Sequence, residues 1–257
     1  MFIANSQTHL FRANNAFNYV PPPPPLGNAL SFSGTINSAD YVNCGNSSKL
    51  NITSSMTVEL WIKPSRDMGG VGGWDRLVHK NYQTGYFFGG SSGNTNALSI
   101  VLNNNQLVMI SPTNTVVVGE WQHVAFVVDD VANMAYIYKN GNLVTSAPWT
   151  GTIPGNPSSP LTLSQSSEPF GGAMDDVRIW NTVRSQDQIR SNMNVELNGN
   201  EAGLVAYYTF NQGTAGSNNS AITTVIDKTA NPSNGTLTSF TKNGSSSNFV
   251  QGKVPRL

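Results

Sequence analysis

Three histidines, one cysteine and fourteen acidic residues are spread over 257 positions, and few stand where two could act together. Retaining hydrolysis of a glycosidic bond needs an acid and a nucleophile roughly 5–5.5 Å apart on either side of the sugar. The nearest carboxylate clusters are Asp129-Asp130 and Asp175-Asp176, and no E-x-D-x-x-E pattern occurs. Neighbours in a strand face opposite ways, so Asp175 and Asp176 are not expected to share one proton transfer. His9, His79 and His123 lie far apart in sequence, and no Gly-x-Ser-x-Gly elbow is present. His123, in EWQHVAF, reads as a hydrogen-bonded strand histidine rather than a base. Cys44 has no partner for an intrachain disulfide and reads as a small buried hydrophobe. The chain is therefore not expected to be an enzyme.

Holding a sugar asks for different residues: an aromatic platform for the C–H face and planar amide or carboxylate partners for the hydroxyls. Trp74 and Asp75 in the glycine-rich GGVGGWDR loop qualify, as do Asn81, Tyr82 and Gln83 in KNYQTGY. Trp149, before a proline-containing loop, and Glu168 complete the set. A tryptophan among four glycines has no periodic core to explain it, which puts Trp74 first; the competing reading is a plug at the end of the fold. Trp61, Trp121 and Trp180 fall within strand patterns and read as structural. Charged residues are 11% of the chain and the formal net charge is zero, so a nucleic-acid partner, which calls for a basic excess, is not expected.

These residues must be positioned by strands. From Ala29 onward, short alternating segments recur: ALSFSG, ADYVN, MTVELWIKP, RLVHK, GYFFGG, LSIVLNNNQLVMI, EWQHVAFVVD, MAYIYKNGNLVTS and LTLSQ. Turns rich in Gly, Asn and Pro separate them, which predicts a β-sandwich. Asn140-Gly141 is expected to be a two-residue hairpin turn, because both residues tolerate positive φ; Asn104-Asn105 is assigned a similar role. In FGGAMDDVRIWNTVRSQDQIRSNMN, Ala173, Asp175, Val177 and Ile179 are expected on one face of a strand and Met174, Asp176, Arg178 and Trp180 on the other. Ser185 then caps a short helix with Ile189 and Met193 on one side and Asp187 in the first turn. No run approaches the roughly 18 apolar residues of a membrane span. MFIANSQTHLFRANN has neither the basic start nor the apolar centre of a secretory signal.

Seven landmarks in order, from LSFSG and TVELWIKP through GEWQHVAFVVD and AYIYKNGNLV to FGGAMDDVRIWN and GLVAYYTFNQG, resemble a bacterial laminin-G-like, concanavalin-A-like jelly roll related to pentraxins. The resemblance implies an all-β, antiparallel jelly-roll sandwich with one short helix. The resemblance covers the jelly roll (29–213); before it, aperiodic aromatics and five consecutive prolines mark an arm (1–28), and after it comes an extension (214–257) packed on the sandwich or on a neighbour. The resemblance also implies an extracellular or cell-surface module, lectin- or adhesin-like, that binds a glycan or a protein surface through rim loops without membrane insertion. A second reading is a structural or decorating subunit of an extracellular assembly such as a filament, sheath, tail fibre or injection-type particle, joined through its arm. Asp40 and Asp176 match the parts of the family that meet at a calcium site; the alternative is two turn carboxylates bonded to backbone. The sequence departs from the family at Ser33, where an acid often stands. The pentraxin calcium loop corresponds to SQSSEPF, whose one acid is Glu168.

Overall fold

A computed structural model describes residues 25–37, 40–69, 73–81, 84–103, 106–244 and 248–255. Two antiparallel sheets stack face to face, and the expected jelly-roll sandwich is what they form. The first contains β1 (Leu26–Ser33), β3 (Met56–Pro64), β8 (Gln122–Asp129), β9 (Met134–Lys139), β10 (Asn142–Pro148), β12 (Gly171–Trp180), β13 (Leu204–Tyr208) and β16 (Phe249–Pro255). Their order is β10-β9-β8-β3-β12-β1-β16, with β13 paired to the far half of β12. The second contains β2 (Tyr41–Asn43), β4 (Arg76–Lys80), β5 (Tyr86–Ser91), β6 (Asn94–Leu102), β7 (Gln106–Ile110), β11 (Thr162–Leu163), β14 (Thr224–Val225) and β15 (Gly235–Thr238). It runs β14-β15-β2-β11-β4-β5-β6-β7.

Alternation in the strands decides what meets between the sheets. Val58, Leu60 and Ile62 of β3 and Val124, Phe126 and Val128 of β8 point inward to Val42, Val78, Phe88, Ile100 and Leu163 of the second sheet. Phe88 and Phe126 touch across the interface, ring centroids 5.3 Å apart. Cys44 lies in this core, where burial pushes its thiol up to about 12. Trp149 is also there, 5% exposed. The extension supplies β14 and β15 to one sheet and β16 to the other. β1 begins at Leu26, inside the span assigned to the arm; residues 1–24 lie outside the described residues, as do Asn104 and Asn105. At the β9–β10 turn Asn140 (φ 50°) and Gly141 (φ 73°) both take left-handed backbone, as a two-residue hairpin requires.

β12 departs from strict alternation. Asp176 adopts φ 55°, and the register against β3 slips by one residue between Asp175↔Trp61 and Arg178↔Glu59. The extra residue is a β-bulge, and it resets the phase of everything after it. Met174, Val177 and Ile179 therefore share the core, while Asp175 lies opposite Trp61 and Asp176 bonds Arg178 on the outer side. The expected grouping of Asp175 with Val177, and of Met174 with Asp176, is corrected by that bulge.

Part of the outer face of the first sheet is covered by residues 181–203. Ser185 caps α1 (Gln186–Asn192) through a capping box with Gln188. Ile189 packs on Ala125, Val127 and Tyr138, and Leu197 on Trp180, Leu204 and Tyr207. Polar bonds fasten this strap. Trp61 Nε1 donates to Met193 O (2.5 Å), and Arg178 donates to Asn192 O (3.0 Å) and Val195 O (2.6 Å). Asp176 accepts from Arg178 and from the Tyr207 hydroxyl, which itself accepts Leu197 N–H at 3.1 Å. Burial pushes the Asp176 carboxyl up to about 6, against the pull of Arg178 and the Tyr207 hydroxyl.

Candidate functional site

With the strap over much of one sheet, the outer face of the other is the more open surface. Inward Val42, Val78 and Leu163 leave Tyr41, Asn43, His79 and Thr162 pointing out. Register pairs set them in a row across the strands: Thr236↔Asn43, Asn43↔Thr162, Thr162↔His79 and His79↔Phe87. Adjacent strands are about 4.8 Å apart, so Asn43 to Phe87 spans ~14 Å.

A cavity of about 370 Å³ opens on this row. Tyr41, Asn43, His79 and Thr162 line it from the strands, Asn81 from the β4–β5 turn, Ser159 and Pro160 from one loop, and Gln165 and Ser166 from another. No carboxylate is among these residues. His79 is the one titratable imidazole; burial first, then the charge of Arg76, lowers it to about 3, so it is neutral through the physiological range. Its Nε2 is buried with no hydrogen-bond partner among the described residues, while Nδ1 lies 3.4 Å from Thr162 Oγ1. A buried orphan nitrogen beside a cavity calls for a water or a ligand.

The walls are held from behind. Lys80 Nζ donates to Asn46 Oδ1 (2.8 Å) and Ser159 O (2.7 Å), and Asn81 Nδ2 donates to Ser159 Oγ (3.1 Å). Burial lowers Lys80 to about 8. Gln165 Oε1 gathers Ser167 N–H, the Ser167 hydroxyl and Glu168 N–H at 2.7–3.1 Å, curling its loop against the cavity.

Of the residues chosen from sequence, Asn81 lines this cavity. Trp74 lies on the same face one strand further on, half-exposed, its ring edge-on to Phe87 at 5.3 Å and 78°. Tyr82 and Gln83 fall outside the described residues. Three assignments are corrected. Trp149 is sealed in the core and offers no platform. Asp75 is 3% exposed; its carboxylate accepts Gly69 N–H at 2.6 Å and pairs with Arg66 at 2.6 Å, tying down the glycine-rich loop. Glu168 is engaged by Arg76, whose guanidinium lies 4.7 Å from the centre of the Phe87 ring; its neighbours Gln165 and Ser166 are the loop residues that reach the cavity. Trp121, expected to be structural, is half-exposed, whereas Trp61 and Trp180 are buried.

The two carboxylates assigned to calcium do not fit that ion. Asp40 Oδ1 accepts Ser33 N–H and the Ser33 hydroxyl, both at 2.7 Å, and Oδ2 accepts Asn248 Nδ2 at 2.9 Å. Asp176 is committed to Arg178 and Tyr207 beneath the strap. Calcium wants six to eight oxygens, and each carboxylate here is already taken by N–H and O–H donors. Among the described residues no group of three or more His, Cys, Asp and Glu could hold a metal. No described helix is long and apolar enough to cross a membrane.

Sequence reasoning missed Tyr41, Asn43, His79 and Thr162 because they come from three strands far apart in the chain. The signal was present locally: each flanks an inward apolar residue, so a period of two already set them outward.

Comparison with known proteins gives this sandwich its place. A profile described as the concanavalin A-like lectin/glucanases superfamily matches residues 36–190, more than half of the chain. The chain belongs to that superfamily. No curated protein matches it in sequence. A protein of Bacteroides ovatus proposed to bind carbohydrate has the same fold, with a TM-score of 0.63 at 20% identity over 92% of this chain. The match covers 62% of that longer chain. More distant likenesses include a heptameric SAP-like pentraxin from Limulus polyphemus (TM-score 0.46, 17% identity, 64% of this chain and 80% of that one). Another is the sialyllactose-bound carbohydrate-binding module of a Ruminococcus gnavus sialidase (TM-score 0.48, 13% identity, 64% and 97%).

Proposed function

We propose that the protein is a non-catalytic recognition module that takes an uncharged saccharide into the cavity on the outer face of the second sheet. The observation that carries this reading is the lining: Tyr41 beside amides, hydroxyls and a neutral imidazole, with no formal charge. Sugar hydroxyls find donors and acceptors in Asn43, Asn81, Gln165 and Thr162, and a C–H face finds Tyr41. Membership of a lectin-containing superfamily and the Bacteroides ovatus neighbour support the same class of ligand. Hydrolysis is not proposed, because the cavity has no carboxyl pair to flank a glycosidic bond. Such a module belongs outside the cell or on its surface.

A glycan array of neutral and sialylated oligosaccharides, probed with the full chain and with Tyr41→Ala, tests this reading. Neutral glycans should be retained by the full chain and lost by the variant. An array on which no neutral glycan is retained, or neutral-glycan retention that survives Tyr41→Ala, contradicts it. The alternative of an assembly subunit depends on an arm whose residues 1–24 lie outside the described residues, and no described contact favours it.

A further inference from the structure

The strap leaves one end of the first sheet bare. There the outward residues are small: Ser31 and Ala173 stand opposite each other, and Ala173 stands opposite Lys63. A cavity of about 620 Å³ sinks into this end, between the β3 terminus and the free edge strand β16. Lys63 and the half-exposed indole of Trp121 line it on one side, and Gln251 and Lys253 on the other. Lys253 Nζ lies 5.2 Å from the centre of the Trp61 ring, which fixes that cation beside the cavity.

Charge separates this cavity from the neutral one. Two lysines line it and no acid does. The adjacent carboxyl is Asp175, whose Oδ2 accepts Lys253 N–H (2.7 Å) and Val254 N–H (3.1 Å) from the backbone. Burial, together with the charge of Asp176, pushes Asp175 up to about 8, which weakens its opposition to the lysines. In a chain with zero net charge, two lysines and an indole lining one cavity without an acid are a local combination suited to an anionic partner.

We propose that this cavity is a second binding site, for an anionic sugar unit, with Lys63 and Lys253 pairing its acidic group and Trp121 carrying its ring. Gln251, Ser31 and Ser65 supply hydroxyl partners around it. A saccharide fits better than phosphate alone, because beside the lysines the wall offers one flat aromatic and scattered hydroxyl and amide groups. The site stands on its own residues and is independent of the neutral cavity on the opposite sheet.

Calorimetry of the full chain with a uronate trisaccharide, its sulfated counterpart and its neutral counterpart tests the proposal, with the sulfated arm separating carboxylate from sulfate preference. At least one acidic ligand should bind, and raising salt from ~50 to ~500 mM should weaken it. Lys63→Ala and Lys253→Gln should each reduce affinity about ten-fold, with unchanged melting temperatures, and Tyr41→Ala should leave it unchanged. Lys63→Glu provides a charge-reversal check at an exposed position that does not disturb packing. Failure of both acidic ligands to bind, binding that survives Lys63→Glu, or binding lost in Tyr41→Ala overturns the proposal. The last result would move the acidic ligand to the neutral cavity.

Discussion

Replacing Tyr207 by Phe removes one oxygen from a fully buried side chain and disturbs two groups at once. The hydroxyl donates to Asp176 Oδ1 and accepts Leu197 N–H at 3.1 Å, so both lose a partner where water does not reach. Each orphaned buried group costs roughly 1–3 kcal/mol, giving a loss of about 3 kcal/mol or somewhat more. For a chain of this size that lowers the melting temperature by roughly 6–12 °C. The pH dependence gives a sharper test. Asp176 titrates in the fold at about 6, above its ordinary 3.8, because burial disfavours its charge. The native state therefore binds that proton more tightly than the unfolded chain. Stability linked to it is full below the unfolded value and is lost as pH rises through the folded one. The Tyr207 hydroxyl holds the folded value down, so Tyr207→Phe lets it rise further and extends the loss to higher pH. Calorimetric melts at pH 5 and pH 8 should show a gap between wild type and variant that is wider at pH 8. A drop below ~2 °C, or a gap that narrows with pH, would falsify the assignment of the strap's anchor.

Asp227 shows the opposite sign. Burial alone would raise it, but Lys49 and backbone N–H groups of Ser233, Thr229 and Tyr207 hold it below its ordinary value. Its contribution is present above the unfolded value and is lost as pH falls through the folded one, so urea melts of Asp227→Asn should show about 3 kcal/mol of destabilisation at pH 7 that shrinks toward pH 3. Trp149→Ala should cost about 3–5 kcal/mol by leaving a core void while saccharide binding by the folded fraction is unchanged. Melts with calcium and with EDTA should agree within ~1 °C, because a cation bound only to the native state would raise its stability; a larger gap would place a cation site elsewhere than at Asp40 and Asp176.

Much of the sandwich is legible from local pattern. Alternation in MTVELWIKP and EWQHVAFVVD, the Asn140-Gly141 turn and the Ser185 cap are each set by a few adjacent residues. The bulge at Asp176 is not, because a non-glycine residue in left-handed backbone is held there by Arg178 and Tyr207 from the surrounding fold. Trp149 failed for a related reason: a tryptophan before a proline-containing loop looks available until distant strands close over it. Asp75 and Glu168 have the right chemistry for a sugar, yet Arg66 and Arg76 had already claimed them, and ion-pair partners cannot be read from spacing. The neutral cavity brings together positions 41, 79 and 162, so its members are individually predictable as outward-facing and collectively invisible until the strands are ordered.

Backbone amide NMR of the full chain, titrated with a neutral oligosaccharide retained on the array, tests most directly which face binds. Shifts should concentrate at Tyr41, Asn43, His79, Asn81 and Thr162 and persist unchanged between pH 5 and pH 8, since His79 stays neutral throughout. Shifts clustered on the strap at 181–203 or at the bare end of the first sheet, with the Tyr41 row silent, would contradict the account.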